Sequence, residues 1–351
     1  PSQSREERNR YTVPSFCGGR TKETMKIAYL LRVRPDLEDM VPGDVEPVFM
    51  HVGDDGLYRE EDLARLEDVD AYVIAMEPAN EQILSASPNL KIVQRLGVGY
   101  ETLDLEATAE RGIPACNIDG VNKEAVAEHA LTLILALSKQ LLDANRFTHA
   151  ADWTAARQLT NRTFEIKGKT LGIIGLGNTG LALAKRANAF EMDVIYNDVR
   201  DIDPKTLEGL NLELVDKEEL LATADIISVN TDLNEMSRAM IDADAVARMQ
   251  PHALFICCAR GGIIDEDALA KALADGRIAG AGVDVFQTEP ITPNNPLIAA
   301  PNCILTSHVA GVASDTTQRI WEWAHDNVRA VVQRGERAQW ILNGVGLDRI
   351  K

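Results

Sequence analysis

A glycine pattern between a strand-like run and a helical run constrains the fold of this chain most. The segment TLGIIGLGNTGLALAKRANAF places Gly175, Gly177 and Gly180 in the spacing G-x-G-x-x-G. In a nucleotide-binding turn the first glycine permits the tight bend, the second lets the backbone approach a pyrophosphate, and the third allows close helix-to-strand packing. A turn without a ligand is the alternative, but the strand, the turn and the helix together predict a dinucleotide site that includes Asn178 and Thr179.

The next strand-like run, VIYND, ends on an acidic residue, Asp198. A carboxylate at this position accepts hydrogen bonds from the adenosine ribose hydroxyls and repels a 2′-phosphate. The sequence therefore predicts NAD (NADH) as the cofactor and makes NADP less favourable. Arg200 is close enough in sequence to weaken that preference.

Strand-like and helical segments alternate along most of the chain, which favours an α/β fold with parallel sheets. A helical pattern over 123–146 without Gly or Pro interrupts this alternation and is interpreted as a spacer between two units. Another helical pattern, 314–334, should return to the first unit. The strand candidates are KIAYLL, EPVFMHV, DAYVIA, LKIVQRL and PACNI before the spacer, and KTLGIIGLG, DVIYND, ADIISVN, ALFICCA, AGAGVDVF and CILTSH after it.

Bulk properties limit the class of protein. A length of 351 residues favours two domains over one. The net charge of −18 disfavours nucleic acid and anionic membrane surfaces as partners. The run 1–24 lacks periodicity and is interpreted as an N-terminal extension. Five cysteines without a CxxC pair, no signal-type segment and no long apolar stretch predict a cytoplasmic protein.

Three polar residues follow successive predicted strands of the second half, at the sheet edge where doubly wound folds place ligands. Arg260 follows FICCA, Glu289 follows AGVDVFQT and His308 follows CILTS. Arginine can bind a carboxylate through two donors, imidazole can exchange a proton near neutral pH, and a carboxylate beside it can orient it. Each residue alone has an ordinary structural explanation, but together with the glycine turn they predict hydride transfer. His129 and His149 are interpreted as structural, and no metal site is predicted.

Several long stretches resemble the D-isomer-specific 2-hydroxyacid dehydrogenase family, and the resemblance covers about residues 26 to 345. These stretches are LGVGYETLDL (96–105), NKEAVAEHALTLILAL (122–137), LGIIGLGNTG (171–180), ARGGIIDEDALAKAL (259–273), GAGVDVFQTEP (280–290) and TSHVAG (306–311). The resemblance implies two doubly wound parallel-sheet domains. A Rossmann NAD-binding domain, 123–306, is inserted in a discontinuous flavodoxin-like substrate domain, 25–122 and 307–351.

The resemblance also implies D stereochemistry, a small 2-keto or 2-hydroxy acid as substrate, and a homodimer built around the nucleotide-binding domains. Arg260, Glu289 and His308 are similar to the family's catalytic arginine, glutamate and histidine. The remaining site residues that the resemblance implies are Val98 and Gly99 for the substrate carboxylate, Asp284 for the nicotinamide carboxamide, Cys258 near the cofactor, and Arg95 for a distal anionic group of the substrate.

Two other functions stay open from the sequence. Relatives such as the C-terminal-binding corepressors use the same fold as NAD-sensing scaffolds for protein partners. Formate and phosphite dehydrogenases transfer hydride from other acids, although formate dehydrogenases typically carry glutamine where this chain has Glu289.

Overall fold

Two parallel sheets contain the strands of the computed structural model, which describes residues 24–31, 40–50, 57–75 and 77–346. The predicted N-terminal extension lies outside the described residues except for Thr24. The described residues form two compact units: those of the first lie within 1–96, 100–117 and 324–351, and those of the second lie within 97–99 and 118–323. The predicted α/β class with two parallel-sheet domains is confirmed.

The first unit carries a five-stranded sheet in the order β2-β1-β3-β4-β5, with every neighbouring pair parallel. This is the flavodoxin-like order that the resemblance implied. Its strands are β1 (Met25–Leu30), β2 (Val45–Met50), β3 (Ala71–Ile74), β4 (Ile92–Arg95) and β5 (Ala115–Cys116), and its helices are α1 (Glu60–Leu63), α2 (Glu81–Ser85) and α3 (Leu105–Glu110).

The second unit carries a seven-stranded parallel sheet in the order β12-β11-β10-β9-β6-β7-β8. The order reverses between β6 and β9, the position at which doubly wound sheets bind nucleotides. The strands are β6 (Thr170–Ile174), β7 (Asp193–Asn197), β8 (Leu212–Leu214), β9 (Ile226–Val229), β10 (Leu254–Cys257), β11 (Gly280–Val283) and β12 (Cys303–Leu305). The helices are α4 (Lys123–Ser138), α5 (Leu141–His149), α6 (Trp153–Gln158), α7 (Asn178–Ala189), α8 (Lys217–Thr223), α9 (Ala243–Arg248), α10 (Glu266–Ala274) and α11 (Ser314–Val332), the last of which continues into the first unit.

The central strand β10 shows why this sheet forms. All four of its residues are buried, and alternate side chains enter different hydrophobic clusters. Phe255 and Cys257 pack in one cluster, and Leu254 and Ile256 pack in the other. A short apolar run with this alternation is typical of a parallel strand covered on both faces.

The prediction of one spacer helix over 123–146 is wrong. The helix ends at Ser138, Gln140 adopts a left-handed conformation with a φ of 51°, and α5 starts at Leu141 after a bend of 59°. The Gln140 side chain donates to the carbonyl of Leu137, which satisfies one of the acceptors that a helix end exposes. Helix α4 is part of the core, since a Cβ on Gly282 of β11 would lie 2.9 Å from the Cβ of Leu133.

The predicted domain boundaries also differ from the observed units. The chain changes unit at 323/324 within α11, and the segment 307–323, which contains His308, belongs to the second unit. The reason is local bonding, because the N–H groups of His308, Val309 and Ala310 all donate to Asp284 after β11.

Among the described residues no single helix has the length and apolar character needed to cross a membrane, although the bent pair of α4 and α5 passes that test jointly.

Candidate active site

The glycine turn has the steric properties that its spacing predicts. Gly175 has a φ of 90°, and a Cβ on it would lie 2.9 Å from the main chain of Asn230. A Cβ on Gly180 would lie 2.2 Å from the carbonyl oxygen of Gly175. Both positions therefore exclude any larger residue, whereas a Cβ on Gly177 would make only an ordinary contact at 3.5 Å with Arg200.

Helix α7 starts directly at this turn. Gly177 is its N-cap, and Asn178 and Thr179 are its first two residues. The first N–H groups of a helix lack intrahelical acceptors and carry partial positive charge, so they favour an anion. A helix of 12 residues that begins at a turn in which Gly175 and Gly180 exclude side chains fits a pyrophosphate.

Asp198 follows β7 and makes several hydrogen bonds. Its carboxylate accepts the Leu176 N–H at 2.8 Å and the Arg200 guanidinium through two nitrogens at 3.0 Å each. Burial raises the pKa of the Asp198 carboxyl, but the hydrogen bonds from Arg200 and Leu176 outweigh burial and hold that pKa below its usual value. The carboxylate is therefore a fixed negative charge beside the glycine turn.

The three predicted catalytic residues meet at the carboxyl ends of β10, β11 and β12. Nδ1 of His308 lies 2.7 Å from Oε2 of Glu289, whose other oxygen accepts the Phe286 N–H at 2.9 Å. Since a carboxylate only accepts, Nδ1 carries the proton of this bond, and Nε2 is the nitrogen that can exchange a proton with a ligand.

Electrostatics link Arg260 to this pair. Burial raises the pKa of the Glu289 carboxyl, but the hydrogen bonds from His308 and Phe286 and the charges of His308 and Arg260 lower it below its usual value overall. Glu289 is therefore ionised across the pH range in which an imidazole titrates. The guanidinium of Arg260 donates to the carbonyl of Ala259 at 2.7 Å.

The main chain around His308 is organised by one buried carboxylate. Asp284 follows β11, and its side chain is 0% exposed. It accepts the N–H of Val309 at 3.0 Å, the N–H of Ala310 at 2.9 Å and the hydroxyl of Thr306 at 2.5 Å. Its main-chain carbonyl accepts the N–H of His308 at 2.7 Å. These bonds support the φ of 55° at His308, a left-handed conformation that is unfavourable for a residue with a side chain.

Three further predicted residues lie close in sequence but fall in different units. Val98 and Gly99 belong to the second unit and are partly exposed, following Gly97, whose carbonyl accepts the Ile118 N–H at 3.0 Å. Arg95 ends β4 in the first unit and is 6% exposed. The substrate contacts expected of all three remain predictions.

The adjacent cysteines Cys257 and Cys258 are shielded from solvent as small apolar residues are. Cys257 is fully buried in the core of the second unit. Burial raises the pKa of the Cys258 thiol well above its usual value, and the charges of Cys257 and Asp284 act in the same direction. Burial also raises the pKa of the Cys257 thiol to about 11, so both side chains are protonated thiols near neutral pH. Among the described residues no group of three His, Cys, Asp or Glu side chains could hold a metal ion.

Sequence reasoning missed two parts of this site. The contact of His129 with Thr306, at 3.0 Å, joins residues 177 positions apart and has no local signal. The steric role of Gly261 was also missed, although the pair Gly261 and Gly262 directly after Arg260 could have indicated it. A Cβ on Gly261 would lie 1.9 Å from the carbonyl carbon of Phe286.

Comparison with known proteins gives consistent matches. Residues 131–310 match the family model described as D-isomer specific 2-hydroxyacid dehydrogenase, NAD binding domain. A glyoxylate reductase of Korarchaeum cryptofilum (strain OPF8) is 35% identical over 284 residues, which are 80% of this chain and 85% of that relative. A D-3-phosphoglycerate dehydrogenase of Archaeoglobus fulgidus is 34% identical over 256 residues, 73% of this chain but only 48% of that relative.

A solved structure also matches over most of the chain. The NADPH-dependent glyoxylate/hydroxypyruvate reductase from Sinorhizobium meliloti, in complex with citrate, aligns with a TM-score of 0.78 and 28% identity. The alignment covers 92% of this chain and 99% of that one.

Proposed function

We propose a reaction for this chain, which belongs to the D-isomer-specific 2-hydroxyacid dehydrogenase family. It reduces a small 2-keto acid to the D-2-hydroxy acid with NADH, and it catalyses the reverse reaction with NAD. The observation that carries this proposal is the 2.7 Å pair of His308 and Glu289, which lies at the same edge of the sheet as the glycine turn.

Different residues of the second unit perform different parts of the proposed reaction. When bound, the nicotinamide supplies or accepts the hydride at the substrate C2. The Nε2–H of His308 donates the proton that the developing alkoxide needs, and Glu289 stabilises the imidazolium before that transfer. The fork of donors on Arg260 binds the substrate carboxylate or keto oxygen. The N–H groups near Val98 and Gly99 are proposed to bind the carboxylate.

The cofactor would bind through residues that fit it sterically and electrostatically. Gly175, Gly177 and Gly180 leave room for the pyrophosphate at the start of α7. Asp198 is proposed to accept hydrogen bonds from the ribose hydroxyls. Cys258 and Asp284 are proposed to lie near the nicotinamide.

We expect NADH to be preferred over NADPH by at least about tenfold in kcat/KM, because the ionised Asp198 would repel a 2′-phosphate. Asp198→Ser should remove this repulsion and release Arg200 to bind the phosphate, so the preference should shrink or reverse. Steady-state rates with both cofactors give the ratio of kcat/KM for NADH to kcat/KM for NADPH. The control is Asp201→Ser, an exposed neighbouring acid whose loss should leave the ratio unchanged. An unchanged ratio in Asp198→Ser would refute the assignment.

A substrate panel tests the proposed reaction. Loss of NADH absorbance is followed with glyoxylate, hydroxypyruvate, pyruvate and phosphohydroxypyruvate, and gain of absorbance is followed with NAD and formate or phosphite. Turnover of at least one 2-keto acid is the expected result. If the enzyme turns over phosphohydroxypyruvate faster than the other acids, and Arg95→Ala loses this preference, Arg95 binds a distal anionic group of the substrate. Turnover of formate or phosphite alone, or no turnover with NAD binding intact, would contradict the proposal.

We also propose a homodimer joined through the segment 141–158, which contains α5 and α6 and is called the arm. Neither helix has a buried residue, and the arm exposes Leu141 at 56%, Leu142 at 56% and Trp153 at 71%. Apolar and aromatic side chains this exposed are typical of a surface covered by another subunit. A second copy of the chain is the simplest occupant, because most oligomers are symmetric dimers.

Replacing Leu142 and Trp153 by aspartate should convert the dimer to a monomer, since both charges would be buried at the contact. Analytical ultracentrifugation measures the mass. Ile298→Asp, at an apolar position that is 51% exposed outside the arm, is the matched control and should stay dimeric. A wild-type monomer at micromolar concentration would contradict this part of the proposal.

A further inference from the structure

His129 lies on α4 and contacts Thr306, which precedes His308 by two positions in the chain. Its Nε2 is 3.0 Å from the hydroxyl of Thr306, and that hydroxyl is 2.5 Å from Oδ1 of Asp284. The His129 side chain is 22% exposed, and the Asp284 side chain is fully buried. The three groups form a chain of hydrogen bonds that starts on a helix and ends on a carboxylate.

The direction of each hydrogen bond in this chain follows from the chemistry of the groups. A carboxylate only accepts, so the single hydroxyl proton of Thr306 goes to Asp284. The Thr306 oxygen can then only accept from His129, which fixes the proton of His129 on Nε2. Nε2 of His129 also lies 3.8 Å from Oδ1 of Asp284, so this donor is close to the buried carboxylate.

Asp284 accepts hydrogen bonds from three consecutive main-chain N–H groups, those of residues 308–310. The N–H of His308 donates to its carbonyl, and those of Val309 and Ala310 donate to its carboxylate. Rotation of this carboxylate would break the bonds from Val309 and Ala310, the two residues that follow His308 and its unfavourable φ. The hydroxyl of Thr306 opposes such rotation.

We propose that His129 is a positioning residue: by holding the Thr306 hydroxyl toward Asp284, it keeps the 308–310 main chain, and with it the imidazole of His308, in the reactive geometry. This inference rests on the proposed role of His308 as the acid/base of the reaction. His129 therefore affects catalysis, although the sequence predicted only a structural role for it.

The test compares His129→Leu with His129→Gln. Leucine removes the donor, whereas the glutamine amide N–H can replace it. In His129→Leu we expect kcat to fall by about tenfold to a hundredfold, with a much smaller change in KM, because misplacing a reacting group affects the chemical step most. His129→Gln should restore much of the rate. His252→Leu, at an exposed histidine outside the arm and the candidate active site, is the matched control and should keep the wild-type kcat.

A second measurement does not depend on turnover. Hydrogen–deuterium exchange of the amides of His308, Val309 and Ala310 should become at least about tenfold faster in His129→Leu and return toward the wild-type rate in His129→Gln. Exchange in α7 should be unchanged, which separates a local effect from unfolding. Thr306→Val should reproduce the His129→Leu result, and Thr306→Ser should not.

The two measurements distinguish failure of this inference from failure of the proposed function. Wild-type turnover that His308→Gln abolishes but His129→Leu leaves unchanged would overturn the inference alone. Unchanged exchange at 308–310 in His129→Leu would overturn it even if no substrate were turned over. If wild type were inactive while exchange accelerated as expected, the proposed function would fail and the role of His129 in positioning the loop would stand.

Discussion

Replacing His308 by glutamine should lower kcat for reduction of a 2-keto acid by about a hundredfold to ten-thousandfold, the range supplied by a positioned acid/base. The alkoxide that forms at C2 needs a proton, and Nε2 of His308 is the donor whose orientation Glu289 fixes at 2.7 Å. Glutamine keeps an amide of similar reach but cannot supply a proton. Stopped-flow measurement of NADH oxidation gives the rate of the chemical step.

The control for this variant is cofactor binding. The dissociation constant for NADH, measured by fluorescence, should stay within about threefold of wild type, because His308 does not belong to the glycine turn. Glu289→Gln should retain part of the activity and should require a lower pH for reduction, since the protonated imidazole loses its ionised partner. A kcat in His308→Gln within a factor of about five of wild type would remove His308 from the mechanism.

Gly261→Ala should be the most destabilising single substitution near the site. A Cβ on Gly261 would lie 1.9 Å from the carbonyl carbon, 2.1 Å from the oxygen of Phe286 and 2.5 Å from the nitrogen of Gln287. All three are main-chain atoms, so no side-chain rotation can relieve the clash. We expect a loss of at least about 3 kcal/mol of stability or failure to accumulate folded protein. Thermal unfolding followed by circular dichroism measures it.

Gly43→Ala is the control, because it measures the general cost of replacing a glycine where no steric clash arises. A Cβ on Gly43 would meet nothing within 4 Å, so Gly43→Ala should unfold within about a degree or two of wild type. Because Gly261 directly follows Arg260, any folded Gly261→Ala protein should also show a raised KM for the keto acid. Equal unfolding temperatures for the two variants would show that the main chain at Phe286 can move away at little cost.

The sequence predicted those features that depend on short segments. Buried strands such as β10 have continuous apolar runs, and the glycine turn has a spacing that follows from steric limits at Gly175 and Gly180. The meeting of Arg260, Glu289 and His308 was predictable because the carboxyl ends of neighbouring parallel strands lie at one edge of a sheet.

Features that depend on tertiary contacts were not predictable in this way. The 123–146 pattern has no Gly or Pro, yet the chain bends at Gln140. The boundary expected before His308 falls instead within α11, because Asp284 bonds the 308–310 main chain to β11. The strand β8, Leu212–Leu214, has only three residues and none is buried, so its alternation is too short to predict a strand.

The central claim is that hydride passes between the nicotinamide and C2 of a 2-keto acid with His308 supplying the proton. The most direct test uses NADH that carries deuterium at both C4 positions and the best substrate from the panel whose 2-hydroxy acid product is chiral, with the product analysed by NMR and chiral chromatography. The account predicts a D-2-hydroxy acid with deuterium at C2 and almost no product from His308→Gln. A product without deuterium at C2, or the same yield from His308→Gln, would contradict it.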